Sequence, residues 1–516
     1  MFKNGLNHFK TKSTFWIFGC FYLLFTLFTF RDYGITDDEY DCYIGGAYHL
    51  KHYYHHTTLD EYNLFTDDKA THNYIYPALL HILTLLNAEK LHLFNMLLAL
   101  FIYWAAYQVL QAAYEKPWWA LLGPFFIFIT FRFSGDVPAN PKDAPFAIFY
   151  FFTLAMIYLS REKNKNPLGE SLFLGSLIGW TTAIRAIGLT VFPLLIFYRF
   201  YEAISESKAQ RQKLDVKAWF SREWRGFLAA FIISQFWLMA LWPYLGSNYF
   251  GNLPNIFLLA KSFPWGGPIL FMGQRISTLN LPWTYLPLYL LITLPLFILL
   301  FFFISLIFFK PKAQTKEAKL YVLFASALIL NILMYLVLKP VIYNALRHYL
   351  FLVPLICVMG TMGLIEFFTT NKFRAAKGIL AGFIILNIFL VLLELFHLYP
   401  YQYAYFNELV GGFKGATGRF EQDYWSASDR EAVLWLRNNE ATDLNKTYRV
   451  KISGTPWQSL YYFGPNMQGD PNMRNPDYEI TQELPANIGN TKPSIQLLHT
   501  VEREGVPLCY VLKYKH

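Results

Sequence analysis

The sequence predicts an all-α polytopic membrane protein of about eleven transmembrane helices, ending in a small α/β domain outside the membrane. Three observations predict it. Of 516 residues, 55% are hydrophobic and only 15% charged, whereas a soluble globular chain carries about 25% charged residues. The apolar residues fall into long runs separated by short basic stretches, and from about residue 399 the runs give way to mixed composition. Too little polar surface remains to cover several soluble cores, and the same numbers exclude disorder, collagen and coiled coil. The net charge of +9 is no nucleic-acid signal, because the cations sit between apolar runs. They are Arg161, Lys163 and Lys165; the stretch from Arg199 to Arg225; Lys310, Lys312, Lys316 and Lys319; and Lys372, Arg374 and Lys377. That is the positive-inside pattern, which fixes orientation.

Lys3, Lys10 and Lys12 precede an apolar run from Phe15 to Phe30 that lacks a cleavage pattern. It reads as an uncleaved first span with the N-terminus in the cytoplasm. The outer loop 31–73 is acidic, with nine Asp/Glu against three Lys/Arg, and carries His49, His52, His55, His56 and His72. Residues 74–86 are apolar but shorter than the roughly 20 residues a span needs, so an interfacial or re-entrant helix is expected. Spans follow near 91–113, 118–132 and 143–160. The run 171–198 lies between two basic loops that both belong inside, so it must cross twice, as two short helices broken at Arg185. The remaining spans lie near 226–245, 283–309, 319–338, 347–369 and 378–398, with a second large outer loop over 246–282.

Residues 1–398 thus form a membrane domain and 399–516 an extracytoplasmic one. In the latter, Ser428-Asp429-Arg430-Glu431 has the form of a capping box opening an amphipathic helix. Tyr448–Ile452, Leu460–Phe463 and Leu508–Lys513 read as strands, the last preceded by a turn at Gly505-Val506-Pro507. Four cysteines make no disulfide framework; Cys42 and Cys509 both fall outside, and their pairing is open.

Three clusters carry possible chemistry. Thr36-Asp37-Asp38-Glu39-Tyr40-Asp41 places four carboxylates in five residues. Mutual repulsion raises some of their pKa values, which suits a general base or a divalent-metal site. Membrane sidedness alone would also collect acids there. Asn140-Pro141-Lys142-Asp143 reads as a helix start, with Asn140 the N-cap and Asp143 at the positive end of the dipole, or as a second acidic group facing the first. Arg185 lies within an apolar run and Arg347-His348 opens another. Cations at membrane depth cost several kcal/mol, so each needs a partner or a job, and arginine's planar fork fits phosphate oxygens.

The order and sidedness of these motifs resemble family 39 of the GT-C glycosyltransferases. That group includes the dolichyl-phosphate-mannose protein mannosyltransferases and the bacterial aminoarabinose transferase of lipid A. The resemblance rests on Asp38-Glu39 just beyond the first span, the Asn140–Asp143 motif, and the Arg347-His348-Tyr349-Leu350…Pro354 run. Tyr399–Asn407, with Gly411-Gly412 and Asp423-Tyr424-Trp425, resembles a bacterial branch of the same group. It implies a GT-C fold and a membrane glycosyltransferase. The donor would be a polyprenyl-phosphate-linked sugar, the acceptor a hydroxyl of a lipid, glycan or protein. The expected location is the plasma (inner) membrane. It implies Asp38 as catalytic base, with Glu39 and Asp143 beside it as catalytic candidates. Asp37, Lys142, Arg185, Arg347 and His348 are the substrate-binding candidates, and the part of a divalent metal ion stays open. Lipid A transferases carry an Arg three positions after the catalytic Asp, where this chain has Asp41; an aminoarabinose donor is therefore not implied. A flippase of lipid-linked sugar would use the same cations, but internal repeats are not seen and the acidic loop would have no role in it. A scaffold protein would leave Arg185 unexplained.

Overall fold

The computed structural model describes residues 2–55, 75–84, 88–160, 167–261, 263, 266–308, 314–370, 374–454, 456–484 and 495–515. The basic run 161–166, Lys310, Lys312 and Lys372, and the histidines His56 and His72 lie outside them. Every apolar run expected to span carries helix. Seven helices are long and apolar enough to cross a membrane, and an eighth arises if the pair Tyr285–Ile292 and Leu296–Phe308, bent by 118° at Pro295, is one span. Proline lacks the amide donor that would continue the ladder through that bend. The remaining expected spans fall on Thr14–Thr29 and Pro117–Phe128, which are shorter, and on the helix Pro167–Ile184. The chain is a multi-pass membrane protein; the expected count of eleven exceeds what these lengths establish.

The helix Val353–Thr369 is buried on every face from Val353 to Ile365 and forms the centre of the bundle. A helix apolar all round belongs in such a core. It packs closely because Gly363 has no side chain: a Cβ there would lie 2.2 Å from the Phe301 carbonyl oxygen of the helix Leu296–Phe308. Small residues at helix contacts allow that approach in membranes. The run 171–198 is broken where expected. The helix Pro167–Ile184 stops, Arg185 is extended (φ −148°, ψ 133°), and a short 3₁₀ turn leads into Val191–Ala209.

The bundle has two chemically distinct ends. At one, Lys316 pairs with Glu115, Lys319 with Glu202, and Arg199 with Glu170 and Glu202. At the other lie the acidic loop and its partners. There the helix Asp37–His55 packs on the ten-residue helix Ile75–Thr84. Ten residues rise about 15 Å, half the hydrocarbon thickness. Its described length is short of a span, as expected of 74–86.

After His397 comes a C-terminal region with a five-stranded sheet: β3 (Tyr448–Ser453), β4 (Met467–Asp470), β5 (Tyr478–Thr481), β6 (Ile495–Arg503) and β7 (Val506–Tyr514). β1 (Pro268–Phe271) and β2 (Gln274–Ser277) form a separate hairpin within the stretch 246–282. The sheet order is β4-β3-β5-β7-β6, with β3 parallel to β4 and β5 and the other pairs antiparallel. The helix Asp429–Asn439 packs on it, Trp435 stacking on His499 at 4.6 Å. Three expectations need correction. Leu460–Phe463 is no strand: Pro456 starts a short helix to Leu460, whose Gln458 and Ser459 turn inward. The hairpin turn is Glu504-Gly505, both at positive φ, so Val506 and Pro507 already lie in β7. The capping box at Ser428 does not form. Asp423 accepts from the Ala427 and Ser428 amides at 3.1 Å each, while Glu431 is drawn away to Arg503 at 2.7 Å. Cys42 and Cys509 are both buried, and neither is in a disulfide.

This region is fastened to the acidic loop. Gly34 lies so close to the Ala427 carbonyl that a Cβ would stand 2.3 Å from its oxygen. The Tyr462 hydroxyl accepts from the Ile35 amide at 3.1 Å, and Arg430 donates to the Arg31 carbonyl at 3.1 Å.

Candidate active site

The acidic motif begins a helix, with Thr36 at its N-cap and Asp37, Asp38 and Glu39 in its first turn, where the dipole favours negative charge. Both oxygens of Glu39 are engaged. Oε2 accepts from the Thr36 amide at 2.8 Å, the reciprocal half of a capping box. Oε1 meets His92 Nε2 at 3.0 Å. The Thr36 hydroxyl donates to the Ala139 carbonyl at 2.8 Å, which brings this helix start against the second motif. There Asn140 Oδ1 accepts from the amides of Asp143 (2.7 Å) and Lys142 (3.2 Å). Asn140 is the cap expected of it.

Between the two helix starts lie four charged groups in alternation. Arg347 Nη1 stands 2.8 Å from Asp38 Oδ2, and its Nε 3.8 Å from Asp143 Oδ2. Arg185 Nη1 meets Asp143 Oδ1 at 2.5 Å. The extended break that frees Arg185 from its helix points its fork at the Asn140–Asp143 turn. Arg347 and Asp143 are 2% exposed, Arg185 17%, and Asp38 32%; Asp38 is the member most open to solvent. Arg347 is held between the rings of Tyr343 and Trp425, at 4.6 and 4.7 Å, a cation–π clamp that fixes the plane of the fork. Trp425 is held in turn by its indole bond to Asp136 at 2.6 Å.

Lys142 adds a third cation. Burial lowers its pKa most, Arg185 lowers it further, and Cys42, Asp38 and Asp143 oppose them. His348 accepts from the Tyr343 amide at 3.4 Å and lines, with Arg185, Tyr343 and Tyr349, a cavity of about 180 Å³ whose other walls include Ile187 and Ile256. On the other side of the helix break, an apolar groove of about 400 Å³ runs along Ile75, Leu98, Phe101, Trp180 and Ile184.

Asp37 faces away from this cluster, accepting from Gln458 Nε2 of the C-terminal region. Burial first, then the carboxylates of Asp38 and Asp429, push its pKa up to about 8, against the Gln458 hydrogen bond. In the unfolded chain it titrates near 3.8. Between those values the folded state keeps a proton that the unfolded state has released, so the Asp37 contribution to stability falls as pH rises across that window. Asp37→Asn has no proton to lose. Its melting temperature relative to wild type is expected to rise steadily from about pH 5 to about pH 8; a difference that does not grow with pH contradicts a buried, neutral Asp37.

Of the eight residues singled out from the sequence, Asp38, Asp143, Arg185 and Arg347 meet directly. Lys142 and His348 border them, Glu39 turns inward and Asp37 turns to the C-terminal region. Trp425, Tyr343, Asp136 and Gln458 were not singled out as functional. The only sequence signal for Trp425 was its place in the Asp423-Tyr424-Trp425 motif.

No protein-family model matches the chain, and no curated protein sequence is significantly similar to it. In chain path it is similar to ArnT from Cupriavidus metallidurans bound to undecaprenyl phosphate, at 9% identity and a TM-score of 0.48 over 96% of this chain and 97% of that one. It is also similar to the oligosaccharyltransferase of Archaeoglobus fulgidus. In the apo form this holds at 13% identity and a TM-score of 0.37, covering 77% of this chain and 56% of the other. With a tethered acceptor peptide the values are 14% and 0.36, over 75% and 54%. At such scores these likenesses carry no chemistry, which rests on the side chains above.

Proposed function

We propose that this chain is an integral-membrane glycosyltransferase that moves a sugar from a polyprenyl-phosphate-linked donor to an acceptor hydroxyl on the extracytoplasmic face, with inversion. The observation that carries the reading is the alternation Asp38–Arg347–Asp143–Arg185 beside a cavity that is cationic at one wall and apolar at the other. Two guanidinium forks and Lys142 stand together beside Asp38 and Asp143, so an arriving phosphate would meet three cations at one wall. Arg185, Arg347, His348 and Lys142 bind that phosphate, while the apolar walls take the lipid. Asp38, paired with Arg347, supplies the carboxylate that accepts the proton. As the phosphate engages the Arg347 fork, Asp38 turns to the acceptor hydroxyl. The acceptor oxygen bonds to the anomeric carbon, the carbon–oxygen bond to phosphate breaks, and the proton goes to Asp38. A single displacement inverts the centre, as in inverting glycosidases. Asp143 holds the two arginines apart and in register, Glu39 fixes the helix start, and Asp37, protonated at neutral pH, is the poorer base of the adjacent pair.

In this reading residues 1–398 are the catalytic membrane domain and 399–516 an extracytoplasmic domain, in the plasma (inner) membrane with the N-terminus in the cytoplasm. Reporter fusions at Asn445 should report outside, and at Lys213 and Lys316 inside; a cytoplasmic Asn445 removes this topology. The function is tested by mass spectrometry of glycolipids and glycans in a deletion strain. One lipid-linked sugar should accumulate and one glycoconjugate should lose that sugar, with restoration by wild type and not by Asp38→Asn. Full restoration by Asp38→Asn would favour a flippase, which needs the cations and not the base. Arg185→Lys keeps the charge and loses the fork. It should weaken donor binding about tenfold, the loss of one charge-assisted hydrogen bond, with an unchanged melting temperature in detergent. A lowered melting temperature at unaltered affinity would make Arg185 an ion-pair member only.

A further inference from the structure

We infer a divalent transition-metal site, zinc in class, that joins the last membrane helix to the C-terminal sheet at Glu394, His397 and Glu504. It lies outside the cluster described above and does not rest on the transferase reading. Glu394 and His397 are three residues apart in the last turn of the helix Arg374–His397, so both project from one face toward the outer end. Glu504 reaches them from the tip of the β6–β7 hairpin, held there by its two-residue turn with Gly505.

One oxygen of each carboxylate and a ring nitrogen of His397 all lie within 4.8 Å of one another, and His397 Nδ1 is 3.3 Å from Glu504 Oε1. Around a tetrahedral zinc with nitrogen and oxygen ligands at about 2.0–2.2 Å, ligand atoms stand about 3.3–3.6 Å apart. The His397–Glu504 pair already stands at that separation. A second observation points to a ligand. Glu394 Oε2 is shielded from solvent and has no hydrogen-bond partner among the described residues, and such a carboxylate oxygen is costly unless something neutralises it. Two carboxylates against one imidazole leave excess negative charge, which a divalent ion removes. The mixed nitrogen and oxygen donors favour zinc over magnesium, which takes oxygen ligands in octahedral array. Water completes the coordination.

The hairpin tip is already an anchoring point. Arg503 donates to the Tyr399 carbonyl at 2.8 Å and to Glu431 at 2.7 Å, and lies 4.7 Å from the Tyr401 ring centre. A metal at the next residue would lock the same junction, and through it the region that supplies Trp425 to Arg347.

The full-length protein, stripped with EDTA in detergent, is titrated with zinc chloride and, separately, magnesium chloride. Bound metal is measured by mass spectrometry and melting temperature by thermal shift. Wild type should take up about one zinc per chain, melt higher with it, and ignore magnesium at equal concentration. His397→Ala and Glu504→Gln should each bind zinc at least about tenfold more weakly, the low end of what losing even an outer partner costs at such sites. Without metal they should melt with the stripped wild type. Glu394→Gln, nearly isosteric, serves if either variant fails to fold. Absence of zinc uptake by wild type, or uptake unchanged in the variants, overturns the site and leaves an ordinary ion pair between His397 and Glu504.

Discussion

Asp38→Asn is expected to insert normally, to bind a polyprenyl-phosphate sugar, and to transfer it at least about a hundredfold more slowly, the low end of general-base effects. The substitution keeps the shape of the side chain and removes the proton acceptor. Donor binding survives because the forks of Arg185 and Arg347 remain, and loss of the Asp38 carboxylate leaves Arg347 freer for phosphate. Asp37→Asn should cost far less, since burial and its acidic neighbours hold Asp37 up to about 8, protonated at neutral pH, and turned toward Gln458. Both variants are assayed for transfer and donor affinity. Collapse in Asp37→Asn with near-normal transfer by Asp38→Asn would move the base by one residue.

Arg347→Ala is expected to abolish donor binding and also to destabilise the fold, by about 3–5 kcal/mol, the cost of removing one partner from a buried ion pair. Asp143 is 2% exposed and would lose one of its two guanidinium neighbours, and the space between Tyr343 and Trp425 would empty. Arg347→Lys separates the two effects. It restores a charge, so most of the stability should return. It lacks the planar fork and stacks less well between the rings, so donor affinity should stay at least about tenfold down. Melting temperature in detergent and donor titration, run on both variants, read the two quantities. Full donor affinity in Arg347→Lys would remove the bidentate phosphate contact from the mechanism.

The charged members of the site were legible because the membrane makes charge conspicuous. Arg185 and Arg347 stand out in apolar runs, and both proved to face carboxylates. The break at Arg185 followed from orientation alone, two cytoplasmic loops requiring a return within one apolar run. What stayed hidden depends on long-range pairing. Trp425 and Asp136 are 289 residues apart in sequence and Gln458 and Asp37 are 421 apart, and no local pattern encodes either contact. The capping signature shows the same limit from the other side. At Thr36-x-x-Glu39 the reciprocal half of a capping box forms, the Thr36 amide donating to Glu39, and at Ser428-x-x-Glu431 neither half does, because Asp423 and Arg503 claim its members. Span number was the least legible feature, since short and bent helices in this bundle follow packing more than length.

Group transfer from a lipid-linked sugar phosphate, with Asp38 as base, is the central claim. It is tested most directly with purified protein in nanodiscs, supplied with polyprenyl-phosphate sugars and acceptor glycoconjugates extracted from the deletion strain, by following free polyprenyl phosphate with mass spectrometry. The expected result is polyprenyl phosphate released in step with one glycosylated product, dependent on the acceptor fraction and lost in Asp38→Asn. Release at the same rate by Asp38→Asn, or none by wild type with any donor in the extract, would contradict it.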